Sequence, residues 1–528
     1  AHASLHRFLL SMARRRGPQQ RNTVRRVLLD QQLFVLIFGA AAFSMIVPAL
    51  HGGAVRSLET ARIFLYTGIF GVVIFGMIVL SQVGRTPRHG AVGNLMSLFA
   101  TFVLLPAFLA LPLYESLKTT TFLNAYVEMV SALTTTGATV FEDPARLDNT
   151  MHLWRAQVGW MGGLTMWIAA SAILAPMNLG GFEVTAQAEP GQSDTATTVM
   201  DRSDPRARLV RVVVTLVPIY VSLTILLWIL LIVSGDGALV ALCHAMSILS
   251  TSGISPVGGV ENGGSGMTGE ALMMLFMLFA LSRLTFSSDT ITATQGGISS
   301  DPEFRLGLFV IIAVPLVLFV RHWIGAFDVS AEDDLGSAFR ALWGSTFTVM
   351  SFLTTTGFAS ADWQEAQAWS GLSTSGIILM GLALVGGGVA TTAGGVKLLR
   401  VFALYLNGKR ELERLVHPSS VSRVGKESRR IQSNGAFIAW IFFMLFAISL
   451  AAVTLLLAVG GVEFENAIVL GIAGLSTTGP LITLAAETPI DLASLDPFAK
   501  SIFCAAMVLG RLETLAIIAL FTPDVWRG

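Results

Sequence analysis

Long apolar runs, separated by short polar segments, make up most of this chain of 528 residues. A run of about 20 apolar residues is long enough to cross the hydrocarbon core of a bilayer as a helix. Ten runs meet this length, at approximately 30–50, 62–82, 93–113, 152–178, 208–234, 268–286, 304–324, 371–400, 433–459 and 498–522. The pattern therefore predicts an all-α polytopic membrane protein.

Four shorter apolar runs lie between these spans, near residues 119–133, 237–249, 337–353 and 463–475. They are too short to cross a bilayer, and each ends in a tetrad of small hydroxyl residues and glycine. The tetrads are Thr134 to Gly137, Ser250 to Gly253, Thr354 to Gly357 and Ser476 to Gly479. Their glycines are 116, 104 and 122 residues apart. The chain is therefore predicted to contain four pseudo-repeats of helix, pore helix, filter loop and helix, preceded by two extra N-terminal transmembrane helices.

Each repeat crosses the membrane an even number of times, so all four are expected to face the same way around a central pore, unlike inverted repeats. The domain boundaries follow from the repeats. They are a cytoplasmic basic N-terminus (1–29), an extra two-helix domain (30–90), pore repeat 1 (91–180), a cytoplasmic segment with pore repeat 2 (181–303), pore repeat 3 with an intramembrane gating loop (304–405), and a cytoplasmic basic loop with pore repeat 4 (406–528).

Composition supports a membrane location, with 53% hydrophobic and 13% charged residues. The formal net charge of zero argues against a nucleic-acid partner. The two cysteines, Cys243 and Cys504, both lie in apolar runs, which excludes a disulfide framework. No long apolar core with a cleavage site is present near the start, so no signal peptide is predicted. Because HExxH and GxSxG motifs are absent from the sequence, no enzymatic activity is predicted.

Basic residues concentrate in alternate loops, before the first, fifth and ninth predicted spans. The positive-inside rule places these loops, and with them both termini, in the cytoplasm. The filter tetrads are then expected to open towards the outside. The basic residues are Arg14, Arg15, Arg16, Arg21, Arg25, Arg26, Arg202, Arg206, Arg208, Arg211, Lys409, Arg410, Arg414, Arg423, Lys426, Arg429 and Arg430.

The repeated tetrads predict an ion filter. A cation that leaves water needs oxygen ligands, and backbone carbonyls supply them where the chain adopts unusual dihedrals that glycine permits. A half-helix whose C-terminus points at the pore adds a partial negative charge. An ordinary turn explains one tetrad, but not four in register. The predicted filter residues are Thr135, Thr136, Gly137, Thr251, Ser252, Gly253, Thr355, Thr356, Gly357, Thr477, Thr478 and Gly479.

Two features around the filter have predicted structural roles. Nine residues before the four filter glycines stand Glu128, His244, Thr348 and Leu470, in that order. We expect the polar ones to anchor the half-helices by hydrogen bonds. Direct ion binding is the alternative. Asp236 and Ser337 precede the second and third half-helices, where they are expected to cap the N-terminal ends.

The eighth apolar run contains five glycines between Gly386 and Gly395. Glycine-rich backbone at membrane depth is tolerated where it is buried in protein or lines a cavity, so we predict a gating loop across the pore, with a close helix-packing face as the alternative. Arg511, in the last run, is expected to hold this loop or form a barrier; snorkelling or structural pairing is the alternative. The predicted gating residues are Gly386, Gly387, Gly388, Thr391, Thr392, Gly394, Gly395, Lys397 and Arg511.

Several motifs together resemble the Trk, Ktr and HKT superfamily of cation transporters, and within it the TrkH-type potassium uptake subunit. They are SALTTTGATVF, FLTTTGFASADW, WMGGL, DPEFR, the GGG…GGVKLLR segment and the ending MVLGRLETLAIIALFTPDVWRG. The resemblance covers nearly the whole chain. Ala390 and Ala393 depart from it, because relatives usually have glycine there, so we expect a stiffer gating loop.

The resemblance implies a bacterial inner-membrane protein that conducts K+ through a gated pore, with Gly137 favouring K+ over Na+. It also implies a homodimer resting on a cytosolic ring of nucleotide-binding regulatory subunits, so that a nucleotide acts only through the partner; Leu406 to Arg430 and Gly180 to Arg211 are the expected contact surfaces. Membrane lipid is the expected surrounding. Symport of K+ with H+ or Na+ is the main alternative, and a membrane-embedded enzyme or a non-conducting subunit is a third.

Overall fold

The computed structural model describes residues 31–82, 91–177, 179, 181, 205–282, 301–325, 335–372, 374–416 and 433–513. The longer regular elements in these residues are α-helices, numbered α1 to α18 in chain order. They are Leu33–Ser44, Ile46–Ala54, Leu58–Gln82, Ala91–Leu117, Phe122–Leu133, Asn149–Ala169, Pro205–Val233, Ala238–Ser250, Gly266–Met277, Pro302–Gly325, Leu335–Leu353, Trp363–Ser370, Ser375–Val385, Leu398–Val416, Ser433–Val459, Phe464–Leu475, Leu481–Leu484 and Pro497–Leu512.

Seven spans in the described residues are long and apolar enough to cross a membrane, or eight if the bent pair α12 and α13 forms one span. This confirms an all-α multi-pass architecture, with fewer continuous spans than the ten expected. The three runs that give shorter helices are 268–286, 371–400 and 498–522. In them α9 ends at Met277, α13 at Val385 and α18 at Leu512.

The contacts divide the chain into two compact units, residues 1–101 and 102–528. In the first unit, small residues bring α1 and α2 close to α3. A Cβ built on Gly52 would lie 3.2 Å from Ala61 Cβ, and one built on Gly68 would lie 3.2 Å from Met45 Cβ. Membrane helices pack through such small residues because water supplies no driving force inside lipid.

The second unit contains the filter repeats. The four short apolar runs form α5, α8, α11 and α16, as the hydrophobic pattern predicts, although α11 is longer than expected at 19 residues. In each of these pore helices the C-terminal half is buried, as from Val127 to Leu133 in α5. Long helices such as α7 and α15 instead expose large apolar side chains, as a lipid-facing helix does.

The eighth apolar run is broken where the sequence predicts it. Helix α13 ends at Val385, the chain continues without helix from Gly386 to Lys397, and α14 begins at Leu398. Gly386 and Gly395 have φ of 73° and 77°, which glycine adopts without steric penalty. The loop is tightly folded on itself, because a Cβ on Gly395 would lie 2.6 Å from Gly386 Cα.

Some charged residues of the topology prediction lie outside the described residues. These are the basic residues of 1–30, Arg202, and those of 417–432. The assignment of a cytoplasmic side therefore stays a prediction.

Candidate functional site

All four pore helices end in the same hydrogen-bonded turn. The N–H of the third residue of each tetrad donates to the carbonyl five residues earlier, which is the long bond of a Schellman motif. The four bonds are Thr136 N to Ser131 O at 2.8 Å, Ser252 N to Ser247 O at 3.0 Å, Thr356 N to Ser351 O at 2.8 Å and Thr478 N to Ala473 O at 2.9 Å. The sequence repeat is therefore a structural repeat.

The second residue of each tetrad has a left-handed backbone although it is threonine. The values of φ are 56° at Thr135, 52° at Thr251, 58° at Thr355 and 53° at Thr477. A β-branched residue in this region is an outlier that costs about 1–3 kcal/mol, and such strain concentrates at functional sites. From the sequence we expected unusual dihedrals at glycine alone. The recurrence of threonine at the second position of every tetrad was the sequence feature that could have indicated this backbone conformation.

The four filter glycines form a closed ring of contacts. A Cβ built on each glycine would lie against or overlap an atom of the next filter strand. The contacts are Gly137 with Ser252 O, Gly253 with Thr356 O, Gly357 with Pro480 and Gly479 with Ala138 N. Since the fourth strand contacts the first, the cyclic order is complete. The structure thus brings together the four tetrads that supply the twelve predicted filter residues.

The fourth filter strand differs from the others. Gly137, Gly253 and Gly357 have φ of 75°, 64° and 86°, whereas Gly479 is not among the positive-φ glycines. Its N–H donates to Thr136 O at 2.6 Å, and the next residue, Pro480, leads directly into the short helix α17. Pro480, visible in the sequence, is the N-cap of this helix, and its φ of -59° already lies in the helical range.

The tetrads that form the ring carry buried hydroxyl oxygens. All four second-position threonines are buried, and the hydroxyls of Thr135 and Thr477 have no hydrogen-bond partner among the described residues. In the described part of the chain, no group of three or more His, Cys, Asp or Glu residues is placed to hold a metal ion. Carbonyl and hydroxyl oxygens suit a hard monovalent cation, whose hydration shell they replace. The ring therefore has the chemistry of a filter for such a cation as cargo.

Polar groups behind the ring hold the strands that leave it. Glu128 accepts a hydrogen bond from Val140 N at 2.8 Å and is paired with Arg155 at 2.6 Å. Thr348 Oγ1 accepts from Ser360 N at 3.1 Å. His244 Nε2 lies 3.0 Å from Ser255 Oγ. The expected hydrogen bonds thus exist at three of the four positions, and they join each pore helix to its outgoing strand.

The expected caps of α8 and α11 are wrong. Gly237, not Asp236, is the N-cap of α8, and Asp236 Oδ1 accepts from Ser265 N at 2.8 Å. Ser337 lies within the first turn of α11, where Arg340 donates to its hydroxyl. Burial alone raises the pKa of Asp236, but His244, with Nδ1 3.7 Å from Oδ2, and Ser265 lower it below the ordinary value overall. Asp236 is therefore ionised at neutral pH.

The glycine-rich loop from Gly386 to Lys397 lies directly against the filter tetrads. Gly394 N donates to Thr355 Oγ1 at 2.7 Å, and a Cβ on Gly394 would overlap Ser476 O. Thr392 Oγ1 donates to Leu249 O at 3.2 Å. The loop therefore contacts the ends of the second, third and fourth pore helices or their tetrads. It also borders a cavity of about 10 Å³, together with Met166 of repeat 1.

Three charged side chains hold this loop. Arg511 Nη1 donates to Thr392 O at 2.7 Å, and Lys397 Nζ donates to Ala393 O. On the other side, Glu303 Oε1 accepts from Val389 N at 3.1 Å. The structure thus brings Arg511 to the predicted loop. The contact of Glu303 with the loop was not predicted from the sequence, although Glu303 belongs to the DPEFR motif.

The predicted glycines of the loop are also closely surrounded. Gly388 N donates to Ala280 O at 2.9 Å, and a Cβ on Gly387 would lie 2.7 Å from the same oxygen. Thr391 Oγ1 donates to Gly388 O at 2.8 Å, within the loop. Protein atoms therefore surround the loop closely. Non-helical backbone inside a membrane requires such surroundings, because lipid cannot satisfy its polar groups.

A buried ion pair lies at the end of the loop. Arg400 Nη2, on α14, is 2.6 Å from Glu513 Oε2, just after α18. The guanidinium also lies 3.6 Å from the centroid of Phe442. Glu513 is the C-cap of α18 and has φ of 62°. The pair joins repeats 3 and 4 beside the loop.

Comparisons with known proteins agree with this geometry. The family profile described as TrkH, cation transport protein, matches residues 85–279 and 305–526. The chain is 28% identical over 420 residues to the Trk system potassium uptake protein TrkH of Salmonella typhimurium, covering 79% of this chain and 82% of that protein. It is 28% identical over 431 residues to TrkI of Halomonas elongata, covering 81% and 82%. The crystal structure of the potassium transporter TrkH from Vibrio parahaemolyticus superimposes on this chain with a TM-score of 0.77. The match covers 95% of this chain and 99% of that one at 24% sequence identity, so the two share a fold.

Proposed function

The chain belongs to the TrkH family of cation transport proteins, and from this premise we propose that it carries K+ across the membrane through a gated, channel-like pore. The ring of filter strands is the selectivity filter in this proposal. Its relatives in Salmonella typhimurium and Halomonas elongata bear the name of potassium uptake proteins, which supports K+ as the cargo.

The observation that carries the proposal is the closed cycle of glycine contacts around the four tetrads. Four strands in one cycle surround one axis, and their oxygens together replace the water that K+ leaves. The pore helices end directly before these strands, so their C-terminal partial negative charges favour a cation there. The membrane potential drives uptake with about 2.3 kcal/mol per charge per 100 mV.

The loop from Gly386 to Lys397 is the gate in this proposal. It lies against Thr355 and Ser476, so in this conformation it occupies the exit of the filter. Its removal from the path requires Arg511 and Glu303 to release backbone groups of the loop. Because α14 follows the loop without a break in the chain, a force on α14 acts on the gate.

We further propose a homodimer in the bacterial inner membrane, with cytoplasmic termini and a cytosolic nucleotide-binding subunit that controls the gate. The distribution of Lys and Arg supports the orientation. Helix α14 supports a docking role, because its apolar side chains are exposed beside charged ones. The exposed apolar residues are Tyr405, Leu412, Leu415 and Val416.

Coupled symport with H+ or Na+ is the second candidate. It needs a carboxylate that is free to exchange a proton or bind Na+. The sequence offers Glu128 and Glu513 for this role, and both are ion-paired, with Arg155 and Arg400. Glu270, which is also buried, accepts hydrogen bonds from Trp343, Ser360 and Ala361. This favours passive conduction.

The test is ion flux into liposomes that contain the purified protein. Passive conduction predicts K+ uptake driven by an imposed potential, with a reversal potential near that of K+ when Na+ is the competing ion. An imposed H+ or Na+ gradient leaves the K+ reversal potential in place. A reversal potential that shifts as coupling to either gradient requires supports symport, and absence of any K+ flux, with and without the cytosolic partner, contradicts the proposed function.

A further inference from the structure

A buried carboxylate outside the predicted site contacts the third filter strand. Glu270 lies on α9, the closing helix of repeat 2, and is 1% exposed. Its Oε1 accepts from Ala361 N at 2.8 Å, and its Oε2 accepts from Ser360 Oγ at 2.8 Å. Both partners follow Gly357 by three or four residues. Glu270 therefore binds the strand that leaves filter 3 from the neighbouring repeat.

The same carboxylate holds the pore helix of repeat 3. Trp343 Nε1, on α11, donates to Glu270 Oε2 at 2.7 Å. One side chain of repeat 2 thus joins the pore helix and the outgoing strand of repeat 3. A displacement of α9 relative to α11 is transmitted to the filter strand through these three hydrogen bonds.

The donors match the ionised form of Glu270. Trp343 Nε1 and Ala361 N are donors only, and Ser360 Oγ already accepts from Asp362 N at 3.2 Å, so its own proton is directed to Glu270. A carboxylate, which only accepts, satisfies all three. Glutamine has one oxygen acceptor and one NH2 donor, so at least one of these buried donors loses its partner when Glu270 becomes glutamine.

Glu270 also differs from Glu128 in its charge environment. Glu128, behind filter 1, is neutralised by Arg155 at 2.6 Å. Among the described residues, no ion pair joins Glu270 to a basic group, and its charge is stabilised by hydrogen bonds alone. Its geometry therefore depends on these three donors and not on a counter-ion.

We propose that Glu270 is a positioning residue of filter 3, which fixes Ser360 and Ala361 from the neighbouring repeat and thereby sets the discrimination between K+ and Na+. The inference rests on the proposed function, because it assumes that the ring conducts K+. In this proposal, selectivity depends on a contact between repeats 2 and 3 as well as on the tetrads themselves.

The test compares reversal potentials of liposomes containing wild type, Glu270→Gln, Ser360→Ala and the control Glu365→Gln. Glu365 lies in repeat 3, the repeat of the strand that Glu270 binds, and pairs with Arg340, so its neutralisation changes charge equally without touching the strand. We expect Glu270→Gln to reduce the K+ to Na+ permeability ratio on the order of tenfold, which is the effect of one unsatisfied buried hydrogen bond. Ser360→Ala is expected to reduce it less, and Glu365→Gln to leave it unchanged.

The outcomes separate the inference from the proposed function. Wild type without K+ flux contradicts the function itself, before any variant is compared. If wild type conducts and Glu270→Gln keeps the wild-type ratio, the positioning role is wrong. If Glu270→Gln does not assemble, as judged by its size-exclusion elution profile, the Ser360→Ala variant provides the test. An unchanged K+ to Na+ permeability ratio in Ser360→Ala overturns the inference, and a reduced ratio supports it.

Discussion

Arg511 Nη1 donates to the carbonyl of Thr392 at 2.7 Å, which joins the last helix of repeat 4 to the glycine-rich loop of repeat 3. Arg511 is 3% exposed, and its Nε and Nη2 have no hydrogen-bond partner among the described residues. In the proposed pore, a buried cation with this bond to the loop is expected both to hold the loop and to repel K+.

Replacement of Arg511 by glutamine is therefore expected to raise resting K+ flux. A hydrogen bond to a charged group contributes about 1.5–3 kcal/mol, so its loss shifts the gate towards opening by about tenfold or more. The measurement is K+ uptake by liposomes without a cytosolic partner. Lys409→Gln is the control, because Lys409 is exposed on α14 and pairs with Glu413 at 4.0 Å. Equal flux in wild type and Arg511→Gln contradicts a holding role.

Ala390 has a strained backbone in the loop that we propose as the gate. Its φ is 56°, a conformation that costs a non-glycine residue about 1–2 kcal/mol. Glycine removes this cost in the closed loop, so Ala390→Gly is expected to lower resting flux by about fivefold. The same flux assay measures it. Ala393→Gly is the matched control, since Ala393 is in the loop but not among the positive-φ residues. A rise in flux for Ala390→Gly refutes stored strain.

The buried pair of Arg400 and Glu513 predicts an effect on stability. Removal of one partner leaves a buried charge uncompensated, and such changes cost about 3–5 kcal/mol. Glu513→Gln is thus expected to lower the unfolding temperature in detergent markedly. Arg400→Met combined with Glu513→Met is expected to recover most of the loss, because neither member of the pair is then left as an uncompensated charge. If the single and double variants unfold at the same temperature, the pair is not coupled.

The repeat architecture and the broken eighth span could be predicted from the sequence because both follow from local pattern. The length of the apolar runs determines where the pore helices lie, and the glycines between Gly386 and Gly395 determine where the eighth span is interrupted. The left-handed threonines were missed, since propensity assigns that conformation to glycine. Glu303 and Glu270 were missed because their partners lie 86 and 90 residues away. Asp236 was assigned wrongly as a cap because Ser265, 29 residues away, binds its carboxylate.

Gly137 gives the most direct test of the ring. It has φ of 75°, and a Cβ there would overlap Ser252 O of the next strand. Gly137→Ser is therefore expected to push filter strands 1 and 2 apart, which loosens the oxygen ligands and lowers the K+ to Na+ permeability ratio by about tenfold, an effect of about 1.4 kcal/mol. Reversal potentials measure the ratio. Gly381→Ser, on α13 with no atom within 4 Å of a Cβ, is the control. If Gly137→Ser keeps the ratio of that control, K+ does not pass between these strands.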